Sequence, residues 1–199
     1  MEPVKRVEGR AIPFGQKNVD TDVIISAKWL KTVSREGLGA GAFESIRAQE
    51  GNIFDDPEYA GASILIAGDN FGCGSSREHA AWALDDMGIK AVIAPSFGDI
   101  FASNAVNNGL LPARLPEEKI EALIARLGDD AAAMTVDLKD GVIRIGNEVI
   151  PFDLDPIWRL KLLNGWDDID MTASHGPAIA AFRAQRAQHA PYAMLPQET

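Results

Sequence analysis

Apolar positions along the chain follow two rhythms that alternate. Ser63-Ile64-Leu65-Ile66-Ala67-Gly68 and Ala91-Val92-Ile93-Ala94 are short, unbroken apolar runs next to glycine or proline, the pattern of buried strands. Between them, Glu78-His79-Ala80-Ala81-Trp82-Ala83-Leu84 opens a stretch of good helix formers, and Phe97 to Asn107 predicts a second helix. Strand, helix, strand, helix in succession is the order of an α/β fold with at least one parallel strand pair.

The flanking segments add strands and helices to that centre. Lys5 to Pro13 alternates as an edge strand does and runs into a turn at Phe14-Gly15. Ser26 to Val33 predicts a short helix, and Gly37, Gly39 and Gly41 then mark a loop. Pro116 to Leu127 is amphipathic, with Ile120, Leu123, Ile124 and Leu127 on one stripe and Pro116 tolerated in the first turn. Thr135 to Leu138 and Val142 to Ile145 flank Lys139-Asp140-Gly141 as a hairpin, and Glu148 to Pro151 supplies a third strand. Helical patterns resume at Asp155 to Leu163 and at Ser174 to Gln188. With 199 residues, 46% of them hydrophobic, the chain can bury a sizeable core, and residues 1–199 read as one domain. Its Ala/Arg/Gln-rich end is expected to fray, with a tail from about residue 188.

Chemistry concentrates where the first buried strand meets the helix. Asn70-Phe71-Gly72-Cys73-Gly74-Ser75-Ser76-Arg77-Glu78-His79 sets a turn of small residues ahead of a helix start. Gly72 and Gly74 let the backbone take positive φ and approach a ligand, and the helix start offers unpaired N–H groups and a partial positive charge. Arg77 adds a planar fork of donors matched to a carboxylate, and Ser75 and Ser76 add hydroxyls. Such a turn suits a carboxylate or a phosphate. Ser75-x-x-Glu78 also has the spacing of a capping box, which would satisfy the helix N-terminus with no ligand. The run is not a P-loop, because the lysine followed by Ser/Thr is missing, nor a dinucleotide fingerprint, because the third glycine is missing.

Composition narrows the partners. A formal net charge of −10 disfavours nucleic acid and anionic membranes, which call for basic patches. The same field repels a diacid, so local cations such as Arg77, Arg35 and Lys31 would have to overcome it. No apolar run approaches the roughly 20 residues that span a bilayer, and the start lacks a basic-then-apolar leader pattern. A cytoplasmic protein is expected. Cys73 is the single cysteine, so there is no intrachain disulfide, and one thiol cannot hold an iron–sulfur cluster by itself.

The run from Asn70 to His79 resembles the mobile domain of the aconitase superfamily, in the form found in the small subunits of bacterial 3-isopropylmalate dehydratases. Asn18-Val19-Asp20-Thr21-Asp22-Val23-Ile24-Ile25, Ala94-Pro95-Ser96-Phe97-Gly98-Asp99-Ile100-Phe101, Asn108-Gly109-Leu110-Leu111-Pro112 and Leu163-Asn164-Gly165-Trp166-Asp167-Asp168-Ile169 resemble that family in the same order. The resemblance implies an aconitase-type α/β swivelling domain, with a β-rich core flanked by helices. It implies a hydro-lyase that moves a hydroxyl between adjacent carbons of a malate-like diacid in leucine biosynthesis. The chain would act in a heterodimer or larger assembly with a large subunit that carries a [4Fe-4S] cluster. Neither a metal nor a cofactor would be bound by this chain.

The same resemblance implies roles for individual residues. Ser75 corresponds to the proton-handling serine, and Asp22 to an aspartate that orients a charged or imidazole group of the other subunit. Arg77 corresponds to the arginine that clamps a substrate carboxylate, with Ser76 and Gly74 beside it as further binding groups. On the glycine-rich loop, either Arg35 or Lys31 matches a substrate-binding cation. Trp29, Leu30, Thr32 and Val33 fall at the specificity loop, facing the substituent that distinguishes one malate derivative from another. From the residues alone, Asp20-Thr21-Asp22 reads as an Asx turn, His79 as structural and Cys73 as a packed thiol. Ala81 stands where the family usually has proline, and Ile157-Trp158-Arg159-Leu160-Lys161 lacks the family's paired arginines and histidine. A related small subunit acting on citraconate/methylmalate, dimethylmalate or homoaconitate is the alternative enzyme. A non-catalytic carboxylate-binding domain is the alternative outside enzymes, against which Ser75 and Arg77 together argue.

Overall fold

The computed structural model describes residues 1–31, 34–129 and 132–190, and the chain forms two compact units, Met1–Gly165 and Trp166–Thr199. The first is built on a seven-stranded mixed sheet. Its strands are β1 (Arg6–Pro13), β2 (Ile64–Ile66), β3 (Ala91–Ala94), β4 (Leu111–Arg114), β5 (Ala133–Asp137), β6 (Val142–Ile145) and β7 (Glu148–Pro151), in the spatial order β4-β3-β2-β1-β5-β6-β7. β1 to β4 run parallel, while β5, β6 and β7 continue the sheet antiparallel.

β1 is central, not the edge strand that its alternation predicts. Its last residues pair with β2 in parallel, Ile12 opposite Leu65, and its first residues pair with β5 antiparallel, Val7 opposite Val136. The alternation is nevertheless explained. Arg6, Glu8 and Arg10 lie in the half that joins the open antiparallel wing, whereas Ala11, Ile12 and Pro13 enter the covered parallel half and are all buried.

The helices are α1 (Thr21–Ile24), α2 (Glu44–Arg47), α3 (Glu78–Asp86), α4 (Asp99–Asn107), α5 (Glu117–Asp129) and α6 (Pro156–Asn164), with short 3₁₀ turns at Ala27–Lys31, Leu38–Gly41 and Pro57–Tyr59. They cover both faces of the parallel strands. Leu65 and Val92 pack in one core with Ala80, Ala83 and Leu84 of α3 and with Phe101 and Ala105 of α4. Ile64, Ile66, Ala91 and Ile93 point the opposite way, into a second core with Ile120, Leu123 and Leu127 of α5 and the inner faces of β5 and β6. This two-sided burial is why β2 and β3 read as unbroken apolar runs.

The second unit contains α7 (Asp168–Ser174) and α8 (Gly176–His189). α7 is held at its start by a capping box: Asp170 N–H donates to Asp167 Oδ1 at 2.8 Å, and Asp167 N–H to Asp170 Oδ2 at 3.0 Å. The Asp170 N–H is also what holds the Asp167 carboxyl below its ordinary pKa. α8 begins two residues later than its periodicity predicts, because Pro177 fits only the first turn of a helix.

Candidate functional site

Three loops meet at the carboxyl ends of β1, β2 and β3, where ligands bind in open parallel sheets: residues 14–20, 67–77 and 95–98. Backbone hydrogen bonds zip the first two together. Gly15 N–H donates to Ile66 O at 3.0 Å, Gly68 N–H to Gln16 O at 3.0 Å, Asn18 N–H to Asp69 O at 2.8 Å, Gly72 N–H to Val19 O at 2.8 Å and Thr21 N–H to Cys73 O at 2.9 Å. The third loop is stitched on by Phe71 N–H to Ser96 O and Gly98 N–H to Phe71 O. Ser96 Oγ ties all of this to the acidic end of β2, donating to Asp69 Oδ1 at 2.6 Å while accepting from Asn70 N–H.

The glycines of the turn are there for space and for backbone sign. Gly72 has φ of 73°, and a Cβ there would lie 2.2 Å from the buried Phe101 ring. Gly74 has φ of 90° and backs onto the Asp20 carboxylate. Cys73, between them, is partly buried. Burial first, and then the Asp20 charge, pushes its thiol above the ordinary pKa and keeps it protonated, consistent with a packed thiol.

The segment after β1 delivers Asp22 to the same place. Asp20 Oδ1 accepts from Asp22 N–H at 2.7 Å, the expected Asx turn, and caps the single turn of α1. Thr21 Oγ1 donates to Ser75 O at 3.1 Å, fixing the serine turn from below. The Asp22 carboxylate then pairs with Arg77 Nη1 across 55 residues of sequence. Arg77 is mostly buried, at 18% side-chain exposure, whereas Asp22 is 52% exposed, so the pair joins a largely covered guanidinium to a half-open carboxylate.

The capping box is not formed. α3 has Arg77 as its N-cap, with φ of −121° and no side-chain capping bond, and Ser75 lies two residues too far out. Among the described residues, none accepts a hydrogen bond from the Ser75 or Ser76 hydroxyl, or from the backbone N–H of Gly74, Ser75, Ser76, Arg77 or Glu78. Ser75 and Ser76 are exposed. The turn therefore presents five consecutive free N–H groups, two free hydroxyls and a guanidinium at the positive end of a helix, a constellation with affinity for a carboxylate.

Gly74, Ser75, Ser76, Arg77 and Asp22 are thus brought together, whereas Arg35 is not. Arg35 lies over the Trp82 indole, 4.9 Å from its centroid, and lines a groove of about 520 Å³ with Arg6, Ser63, Asp85 and Lys90, at the amino ends of the parallel strands. Lys31 is exposed at the end of a 3₁₀ turn. Trp29 donates from Nε1 to Glu44 Oε2 at 3.2 Å, and Leu30 packs on the core. Thr32 and Val33 lie outside the described residues. His79 sets its ring against Trp82, with centroids 4.6 Å apart and the planes tilted by 47°. Sequence reasoning missed Thr21 as a support of the turn and Asn108 as the partner of the Glu78 carboxylate, whose Oε1 accepts from Asn108 Nδ2 at 2.9 Å. Thr21 sits inside a motif whose aspartates drew the attention, and nothing in the local pattern around Asn108 points to Glu78. Among the described residues no three His, Cys, Asp or Glu side chains gather as a metal site, and no helix is long and apolar enough to cross a membrane.

The chain matches the model of the aconitase C-terminal domain over residues 1–118. It is 55% identical over 192 residues to the 3-isopropylmalate dehydratase small subunit of Novosphingobium aromaticivorans, spanning 96% of this chain and 95% of that one. It is 52% identical over 193 residues to the small subunit of the same name from Zymomonas mobilis, spanning 96% and 100%. The crystal structure of 3-isopropylmalate dehydratase from Methanocaldococcus jannaschii superposes with a TM-score of 0.61 at 34% identity, covering 79% of this chain and 87% of that one. The matched region holds the whole zipped turn, and the relatives extend over nearly the full length, so the chain belongs to the aconitase C-terminal domain family, among the 3-isopropylmalate dehydratase small subunits.

Proposed function

We propose that this chain is the small subunit of a 3-isopropylmalate dehydratase, interconverting 2-isopropylmalate and 3-isopropylmalate by dehydration and rehydration in leucine biosynthesis. The observation that carries the reading is the open turn itself: free N–H groups from Gly74 to Glu78 and free hydroxyls on Ser75 and Ser76, beside a guanidinium. Arg77 and the helix start bind a substrate carboxylate, and Ser76 adds a hydrogen bond. Ser75 handles the proton on the carbon next to that carboxylate. A serine hydroxyl is far too weak an acid to do so unaided, and the surrounding N–H dipoles and Arg77 stabilise its alkoxide.

The other half of the chemistry needs a group that this chain does not fit. Cys73 is the single cysteine, and its thiol is held protonated, so its residues offer no cluster site. In this reading a [4Fe-4S] cluster on a large subunit supplies the Lewis acid that accepts the departing hydroxyl. Asp22 faces that partner with half its side chain exposed, and Lys31 is the loop cation left to reach the substrate, since Arg35 lies over Trp82, with Trp29 and Leu30 toward the alkyl group. A cytoplasmic location accords with this role.

The test is reconstitution. The purified chain is expected to be colourless and inactive, and to turn over isopropylmalate only when mixed anaerobically with a cluster-loaded large subunit. Turnover without any partner, or a reconstituted complex that prefers homoaconitate, sinks the assignment.

A further inference from the structure

The Ser75-x-x-Glu78 spacing is that of a carboxylate able to fold back onto the Ser75 N–H, and doing so would close the turn with the chain's own anion. In the structure Glu78 is turned elsewhere. Its Oε1 accepts from Asn108 Nδ2 at 2.9 Å, and the Asn108 amide is itself fixed on both sides. Asn108 Oδ1 accepts from Trp82 Nε1 at 3.0 Å, and the same Nδ2 donates to Asn104 O at 2.8 Å at the end of α4. Glu78 and Trp82 are four residues apart on α3, so one asparagine from the far end of α4 reaches both along a single face. Two further carboxylates beside the turn are engaged elsewhere than on its N–H groups. Asp22 is paired with Arg77, and Asp20 is committed to the cap of α1.

We infer that Asn108 is a positioning residue that holds the Glu78 carboxylate away from the serine turn, keeping the N–H groups of Gly74 to Glu78 open for the substrate anion. The inference rests on the reading of that turn as the substrate site. A carboxylate released one residue from Arg77, at the positive end of a helix, is an intramolecular competitor for the donors that the substrate uses. Its effect falls on binding and leaves the proton transfer untouched.

The experiment is donor and acceptor exchange in the reconstituted complex. Asn108→Asp keeps the acceptor for Trp82, removes the donor to Glu78 and repels it. KM for isopropylmalate is expected to rise about five- to tenfold with kcat within about twofold. Asn108→Asp with Glu78→Gln restores a donor facing an acceptor and removes the competing charge, so KM returns to within about twofold of the parent. A purely structural role for Asn108 lowers thermal stability without that rescue. If Asn108→Asp does not fold, Asn108→Ala with and without Glu78→Gln makes the same comparison. An unchanged KM, or a raised KM that Glu78→Gln leaves raised, overturns the inference. Arg77→Lys serves as control: if it too leaves KM unchanged, the substrate-site reading fails, whereas a raised KM in Arg77→Lys alone confines the failure to Glu78 and Asn108.

Discussion

A Cβ on residue 74 would lie 2.0 Å from Asp20 Oδ2, so Gly74 and Asp20 fill adjoining space with no room for a methyl group between them. Gly74 also has φ of 90°, where a side chain is strained whatever the space. Gly74→Ala should therefore displace the Asp20 carboxylate that caps α1, lowering stability by about 2 kcal/mol and Tm by about 4–8 °C. Turnover should fall with it, since Asp22 follows the cap. A Tm within error of the parent would show that the turn relaxes freely.

Ser75→Ala separates catalysis from stability. Ser75 caps nothing and its hydroxyl is exposed, so the fold should change by less than about 0.5 kcal/mol. Loss of the group that handles the proton should cut kcat about a hundred- to ten-thousandfold with saturating partner. Near-normal turnover would remove Ser75 from the mechanism.

Arg77→Lys keeps the charge and loses the fork. With the guanidinium already giving Nη1 to Asp22, a lysine ammonium has no second, parallel donor for the substrate. KM should rise about tenfold while kcat falls less than about threefold. Steady-state kinetics of the complex in which kcat alone falls would argue for a role in the transition state only.

The Cys73 thiol gives a pH readout of the turn. Because burial and the Asp20 charge raise its pKa, the thiol is protonated at neutral pH, and iodoacetamide should react with it more slowly than with a free cysteine. The rate should climb with pH through a range above that of an ordinary thiol, and Asp20→Asn should shift the climb to lower pH. Labelling as fast as a model thiol at neutral pH would contradict the packing around residue 73.

Specificity should respond to Gly41. A Cβ there would meet the Trp29 indole at 2.4 Å, so Gly41→Ala should push Trp29 from its place beside Glu44. If Trp29 borders the alkyl group, relative kcat/KM among isopropyl-, methyl- and dimethylmalates should change by about tenfold, the scale of one apolar contact in a pocket. Unchanged ratios would take Trp29 out of the specificity wall.

Much of the architecture is legible in local pattern. The runs at Ile64–Ile66 and Ala91–Ala94, the hairpin at Thr135 to Ile145 and the stripe of α5 each carry their burial in their own periodicity. Two strands were less clear. β1 alternates as an edge strand because one half joins the antiparallel wing, yet it lies at the centre of the sheet. β4 hides in Leu111-Pro112-Ala113-Arg114, where the proline argues against a strand and is tolerated because β4 is at the sheet edge.

The residue types of the serine turn, its glycines and its anion-seeking chemistry are properties of consecutive residues, and the sequence by itself determined them. Which partners those residues take was decided only by the tertiary structure. Arg77 meets Asp22, Thr21 meets Ser75 and Asn108 meets Glu78 because the parallel strands align the loops that follow them, and because α3 and α4 pack side by side. The same long-range packing turned a capping-box spacing into an open turn and set Arg35 on Trp82. Periodicity encodes which face is buried and which backbone conformations are allowed. It does not encode which of several polar groups a side chain will reach across 30 or 55 residues, since that depends on how distant elements pack.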